Sequence, residues 1–161
     1  MRKNNYGSNS VLCSKSLNIV PMGFADINAV TKIEQQSHSH PWSEKLFLSN
    51  FGQRYFNHLI QLNDEVIGYF VASAVAGEVT LMNIAISPDY QGKGAGQVLL
   101  QFLLDYSREN DQQEIWLEVR SSNKSAIHLY QKLGFSEVDI RKAYYPAEKG
   151  REDAVIMCCY L

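Results

Sequence analysis

Three glycines, Gly92, Gly94 and Gly96, fall within five residues of the stretch PDYQGKGAGQVLLQFLL (Pro88 to Leu104), and a run of large apolar residues follows at once. Glycine is a poor helix former, so three of them at the start of a helix restrict what the segment can be. Just upstream, VTLMNIAIS (Val79 to Ser87) reads as a strand ended by Pro88. Strand, glycine turn and helix together are the layout of an anion site. Successive backbone N–H groups point into the turn, and the helix dipole adds about half a positive charge at its start. Without Cβ atoms the backbone can also approach a phosphate closely. The plain alternative is a turn that merely connects two elements. Two nucleotide motifs are excluded. No Gly-Lys is followed by Ser or Thr, as a P-loop requires, and G-x-G-x-x-G fails from Gly92, where the sixth residue is Gln97, and from Gly94, where it is Leu99.

With 161 residues, 45% of them hydrophobic, the chain has the length and apolar content of one domain with its own core. No internal repeat or interdomain linker breaks it. A formal net charge of -2 argues against a broad nucleic-acid-binding face. No run approaches the roughly 18 apolar residues of a membrane span. The opening MRKNNYGSNS lacks the apolar segment of a secretory signal and reads as a floppy extension through about Ser16, with a single domain from Leu17 to Leu161. Cys13, Cys158 and Cys159 are odd in number and have no C-x-x-C spacing. Adjacent strand cysteines point to opposite faces. The expectation is reduced thiols in a cytoplasmic protein. His38 and His40 are read as a pair without nearby acidic or cysteine partners, a poor metal site, so no metal is expected. His58 and His128 read as surface or half-buried residues.

The remaining pattern alternates strands and helices. LNIVPM (Leu17 to Met22) reads as a first strand. Ile27, Val30, Ile33 and Glu34 share one face of a helix, and HPWSEKLFLSN forms a second, with Ser43 as its N-cap and Trp42 at the hydrophobic-staple position. RYFNHLIQL and VIGYFVASAV are strand-like runs joined by a hairpin at NDE, and with VTLMNIAIS they predict an antiparallel meander. The glycine loop opens a helix to about Asn110, with Leu99, Leu103 and Tyr106 on one face and Phe102 beside them. EIWLEVR alternates as a strand: Ile115, Leu117 and Val119 face one way, and Trp116, Glu118 and Arg120 the other. NKSAIHLYQKLG is a short helix capped by Asn123 and stopped by Gly134. FSEVDIRK and DAVIMCCYL are last strands flanking a polar loop, AYYPAEKGRE. The fold class is therefore α/β, a mixed, mostly antiparallel central sheet with flanking helices.

Gln91-Gly92-Lys93-Gly94-Ala95-Gly96 fits Gln/Arg-x-x-Gly-x-Gly/Ala and resembles the acetyl-CoA pyrophosphate loop of the GNAT family of N-acetyltransferases. With it, HPWSEKLF, NIAISPDYQGKGAG, WLEVRSSNKSAIHLYQKLGF and YYPAEKGREDAVIM together resemble the ribosomal-protein-alanine N-acetyltransferase branch of that family, from about Leu17 to the C-terminus. The resemblance implies acetyl-CoA as co-substrate and a protein N-terminus as acceptor, the N-terminal alanine of a small-subunit ribosomal protein. It implies neither a nucleic-acid nor a membrane partner. It assigns cofactor binding to the backbone of Ile84, Ala85 and Ile86, to Gln91, Gly92, Lys93, Gly94, Ala95, Gly96 and Gln97, and to Asn123.

N-acetylation needs a neutral amine, a proton for the departing thiolate and a donor for the oxyanion. A protein α-amine titrates near pH 8, so about a tenth is neutral at pH 7 and a modest base suffices; a lysine amine, near 10.4, is far less so. Glu118 stands beside Trp116 on its strand face, where partial desolvation raises a carboxyl toward a useful base. By spacing alone it also reads as an exposed strand glutamate. Tyr130 lies on a helix face with Ala126 and Leu133 and by spacing reads as a core tyrosine with a satisfied hydroxyl. The resemblance gives Glu118 the role of general base, directly or through one water, and Tyr130 that of general acid. Trp42, Tyr144 and Tyr145 are candidate walls of a peptide cleft. The other readings are a GNAT enzyme acting on a small-molecule amine or lysine, and a CoA-sensing module without catalysis.

Overall fold

The computed structural model describes residues 16–161; the first fifteen residues, with nearly all of the expected extension and Cys13, lie outside the described residues. The chain forms one seven-stranded sheet, with clean alternation in β4 and β5 and a continuous buried run in β3: β1 (Leu17–Pro21), β2 (His58–Leu62), β3 (Glu65–Val75), β4 (Glu78–Ile86), β5 (Glu114–Arg120), β6 (Ser136–Pro146) and β7 (Arg151–Tyr160), in the order β1-β2-β3-β4-β5-β7-β6. All neighbours are antiparallel except β4 and β5. The meander β2–β3–β4 is as the sequence predicts. Asn63 and Asp64 both take positive φ in its first turn, the backbone a tight right-twisted hairpin needs.

Two cores cover the two faces. On one side β3, β4, β5 and β7 pack against α3 (Ala95–Glu109) and α4 (Lys124–Lys132) through residues such as Phe70, Leu81, Leu99, Leu103, Leu117 and Met157. On the other, α1 (Ile27–Ser37) and α2 (Glu44–Ser49) cover Leu59, Tyr69, Val71 and Ala85. Ser43 caps α2 by accepting from the Leu46 N–H at 3.2 Å, and Trp42 packs on Phe47 with ring centroids 5.3 Å apart, the expected staple. No described helix is long and apolar enough to cross a membrane.

The central feature is where β4 and β5 part. They pair only from Glu78↔Glu114 to Leu81↔Leu117. At that point the β3–β4 register shifts, Ala72 facing Leu81 and Val71 facing Asn83, so Met82 is an extra residue in β4. Such a bulge bends its strand and increases the local twist. Beyond it β4 continues to Ile86 with no β5 partner, while Glu118, Val119 and Arg120 pair only with β7. A wedge-shaped gap opens in the middle of the sheet.

Two expectations need correction. The polar loop AYYPAEKGRE is mostly strand: β6 runs to Pro146 and β7 starts at Arg151, leaving only 147–150 as the turn. The register jumps from Arg141↔Ala154 to Tyr145↔Glu152, a bulge in β6 with Ala143 at φ 50°. Asp153 holds it, accepting from the Ala143 N–H at 2.9 Å and Lys142 Nζ at 3.1 Å, and Arg151 donates to the carbonyls of Ala143 and Tyr144 at 2.8 Å each. The polar residues staple a bulge, and their polarity hides the strand. His58 is buried, stacked on Phe70 and packed against Phe102 and Tyr106, with its Nδ1–H donating to the Phe56 carbonyl at 2.8 Å. Burial holds its pKa below the usual histidine value, so the ring stays neutral.

Candidate functional site: a cleft where two strands diverge

The glycine loop sits where β4 delivers it, at the wide end of the gap. After Pro88–Tyr90, a short 3-10 turn, Gly92 and Gly94 adopt φ 72° and 92°, a region costly for L side chains. Gly94 is the N-cap of the fifteen-residue α3, and no side chain caps that end. Among the described residues the N–H groups from Gly92 to Gln97 find no carbonyl within the turn. A row of unspent donors at a helix start fits a pyrophosphate. Gly96 faces Ile86 and Leu129, each 3.7 Å from where a Cβ would stand, so the helix packs tightly on β4 and α4.

The other predicted cofactor residues have these partners. Gln91 folds back, its Nε2 donating to the Ile86 carbonyl at 2.9 Å; Lys93 donates to the Asp89 carbonyl at 3.0 Å and lies over the Tyr90 ring. The Gln97 side chain accepts from Lys132 Nζ at 3.1 Å. Ala95 is buried beneath the loop. Along β4, Ile84, Ala85 and Ile86 present their free edge to the gap, although the Ile86 carbonyl is taken by Gln91 and, at 3.3 Å, by the Ser37 hydroxyl. Asn123 is exposed, and its Oδ1 caps α4 by accepting from the Ala126 N–H at 3.2 Å, which leaves the amide nitrogen to donate. These groups suit the two chemistries of coenzyme A: backbone donors for its diphosphate, and an open strand edge for its amide-bearing arm.

Glu118 lies on the opposite sheet face from α3, one residue past the last β4–β5 pair. Its neighbour is a cation rather than an indole. Arg141 Nη1 stands 3.1 Å from Glu118 Oε1, whereas the Trp116 Nε1–H donates to Glu114 at 2.9 Å. Tyr130 comes from α4, on the other layer. Only 6% of it is exposed, and among the described residues its hydroxyl makes no hydrogen bond. Burial, with a contribution from Tyr145, pushes its pKa up, so the phenol keeps its proton across the physiological range.

Tyr145 neighbours both. Its pKa is pushed up to about 12 by burial and then by the Glu118 carboxylate, and its ring carries the Arg120 guanidinium 4.6 Å from the centroid. The stapled bulge in β6 sets Tyr145 opposite Glu152 and so over this cleft. Arg120 ties the floor together, donating to the Pro146 carbonyl at 2.7 Å and Glu152 at 2.8 Å, and reaching His40 Nδ1 at 3.5 Å. Sequence reasoning singled out Tyr145 only as a wall and missed Arg120, Arg141 and Glu152. Their partners are distant in sequence, and no spacing signal announces them. Tyr144 remains 41% exposed at the rim beneath Arg141. His38, read from the sequence as lacking an acidic neighbour, has one in Glu34 at 2.8 Å across one helical turn, but among the described residues no group of three or more His, Cys, Asp or Glu gathers as a metal would require. Cys158 and Cys159 are buried, with pKa values raised first by burial, which leaves them as packing thiols.

The diverging strands, the uncapped glycine turn and the paired cleft residues form the frame of an acyl-CoA-dependent transferase. The sequence profile of the Acetyltransferase (GNAT) family matches residues 27–135. This chain belongs to the GNAT family. The acetyltransferase is 48% identical over 132 residues to the ribosomal protein bS18-alanine N-acetyltransferase of Escherichia coli K12, covering 82% of this chain and 89% of that protein. It is 50% identical over 137 residues to the Haemophilus influenzae protein of the same name, covering 84% and 93%. The crystal structure of the Escherichia coli ribosomal-protein-S18-alanine N-acetyltransferase superposes with a TM-score of 0.88 at 44% identity, over 90% of this chain and 94% of that one. The acetyltransferase thus uses acetyl-CoA as co-substrate for N-acetylation, and its mixed sheet with flanking helices is the family's fold.

Proposed function

We propose that this acetyltransferase works in the cytoplasm and transfers acetyl from acetyl-CoA to the α-amine of a protein N-terminus, the N-terminal alanine of ribosomal protein bS18. The likeness to enzymes named for that reaction, close to half identical over most of both chains, carries the choice of acceptor. The chemistry rests on the cleft. Glu118, half-buried, takes the proton of the α-ammonium directly or through one water. The freed nitrogen attacks the thioester carbonyl and a C–N bond forms; the nitrogen then loses its second proton to water as the C–S bond breaks. Tyr130, buried and protonated with its hydroxyl unspent, gives its proton to the leaving thiolate and is reprotonated from solvent. An α-amine suits a base of this kind, because a useful fraction is already neutral at pH 7. The glycine turn, from Gln91 to Gln97, holds the diphosphate. The free edge at Ile84–Ile86 and the Asn123 amide hold the pantetheine arm.

Two hexapeptides test this, one with a free N-terminal alanine and a basic tail, the other with a blocked N-terminus and an internal lysine. Thiol release is followed, and the acetyl group is located by mass. Acetyl on the alanine nitrogen alone is expected. Acetyl on lysine alone overturns the acceptor, and acetyl-CoA binding without transfer overturns catalysis at peptide amines. With the alanine peptide, Glu118→Gln is expected to lower kcat several hundred-fold, within the roughly 10²–10⁴ range of general-base loss, and to leave acetyl-CoA affinity unchanged. A variant with an unaltered rate removes Glu118 from the mechanism.

A further inference from the structure

One buried charge lies outside the chemistry described above. Glu34, on α1, is 1% exposed, yet it belongs to the apolar stripe of Ile27, Val30 and Ile33. Both of its oxygens are in use. Oε1 accepts from the Trp42 N–H at 2.9 Å; Oε2 accepts from the Tyr69 hydroxyl of β3 and meets His38 Nδ1 at 2.8 Å. Burial pushes the Glu34 carboxyl up, but the hydrogen bonds from His38, the Trp42 N–H and Tyr69 outweigh it and hold the group below its ordinary value. An ionised carboxylate inside a core is costly unless every lone pair is satisfied, so this one is kept for what it holds.

It holds the segment 38–43, which links α1 to α2 without regular structure. His38 fixes one end and Trp42 the other, with Trp42 packed on Phe47 and Phe47 edge-on to Tyr69 at 5.5 Å. Between these anchors His40 projects to Arg120, two residues past Glu118 on the same strand face. Arg120 in turn reaches Pro146 and Glu152 on the hairpin opposite. The contacts make one span: α1, segment 38–43, Arg120, and the β6–β7 turn. That span borders the strand face that carries Glu118.

We infer that Glu34 is a positioning residue for the acceptor: by clamping segment 38–43 to β3, it sets the wall along which the residues after the acetylated one lie. The inference rests on the peptide-acceptor reading above. It touches neither the base nor the acetyl-CoA loop, so its effect is confined to acceptors long enough to reach the wall.

Glu34→Gln and Tyr69→Phe test it with two acceptors, the alanine hexapeptide and alaninamide, which has no second residue. For Glu34→Gln, kcat/KM with the hexapeptide is expected to fall about ten- to a hundred-fold, mainly through KM, while alaninamide and acetyl-CoA affinity change by about twofold or less, since displaced positioning groups cost rates of this order. Equal losses for both acceptors, or no loss for the hexapeptide, overturn the inference. Should Glu34→Gln not fold, Tyr69→Phe, which removes one donor and no charge, is read the same way and must still show the hexapeptide losing more than alaninamide. Wild-type protein that acetylates neither acceptor defeats the peptide reading itself, an outcome distinct from an active wild type with an indifferent variant.

Discussion

The two sides of the gap between β4 and β5 are made of different material. On the α3 side the groups without partners are backbone: the N–H row after Gly92, the uncapped start of α3 and the free edge of β4. On the α1–α2 side the groups are side chains brought together from across the chain: Glu34 with His38 and Tyr69, Arg120 with His40 and Glu152, Glu118 with Arg141. Backbone recognition suits a co-substrate whose diphosphate and amide arm are always the same. Side-chain recognition suits an acceptor that must be told apart from other amines, because side-chain contacts can change while the sheet does not.

Substitutions can break this contrast in turn. The largest effect is expected at the backbone side. Gly94→Trp places a bulky L side chain at φ 92° in the mouth of the anion turn, so acetyl-CoA binding is expected to vanish in calorimetry while the circular dichroism of the fold persists. Retained binding would show that the turn is only a connector.

A smaller effect is expected at Tyr130, which contributes its hydroxyl rather than backbone. Because that hydroxyl makes no hydrogen bond among the described residues, Tyr130→Phe is expected to keep the thermal midpoint and acetyl-CoA affinity, and to slow turnover about ten- to a hundred-fold, in the lower range for loss of a general acid. Full activity in steady-state assays would remove the acid role. With its pKa raised, the wild-type phenol donates at all pH values below its ordinary value of 10, so no alkaline fall in rate below that pH is expected from it.

The smallest effect separates the two layers by pH. His58, in the α3 layer, has a lowered folded pKa. The unfolded chain therefore binds more protons below about 6.5, and stability drops as pH falls through that value toward the folded pKa. Glu34, in the α1–α2 layer, is also lowered. Its stabilisation is present above the unfolded carboxyl pKa, about 4.3, and is lost as pH falls below it. Urea titrations at stepped pH should show His58→Gln reducing the loss in the upper window and Glu34→Gln reducing it in the lower. A single window, altered by neither variant, would mean that other groups govern acid unfolding.

Much of the fold was written in local patterns. Period-two alternation in EIWLEVR put Glu118 and Arg120 on the face away from Leu117, and the structure keeps them there. The caps at Ser43 and Asn123 and the meander through Asn63 and Asp64 were legible because capping and turn chemistry act within three or four residues. The glycine turn was legible for the same reason: positive φ at Gly92 and Gly94 needs no distant partner. The stapled bulge of β6 was not, since its polar residues look like a loop until Asp153 and Arg151 are seen to grip it. A signal for Glu34 was present, a carboxylate on an otherwise apolar helix stripe, but its meaning was not, because Tyr69 lies 35 residues away. What the sequence by itself determined were most of the elements, their buried faces and the backbone of the glycine turn, all products of short-range sterics and periodicity. Only the tertiary structure decided which charges meet, Glu118 with Arg141 and Arg120 with Glu152, because ion pairing depends on distance in space and on burial, which chain spacing does not encode.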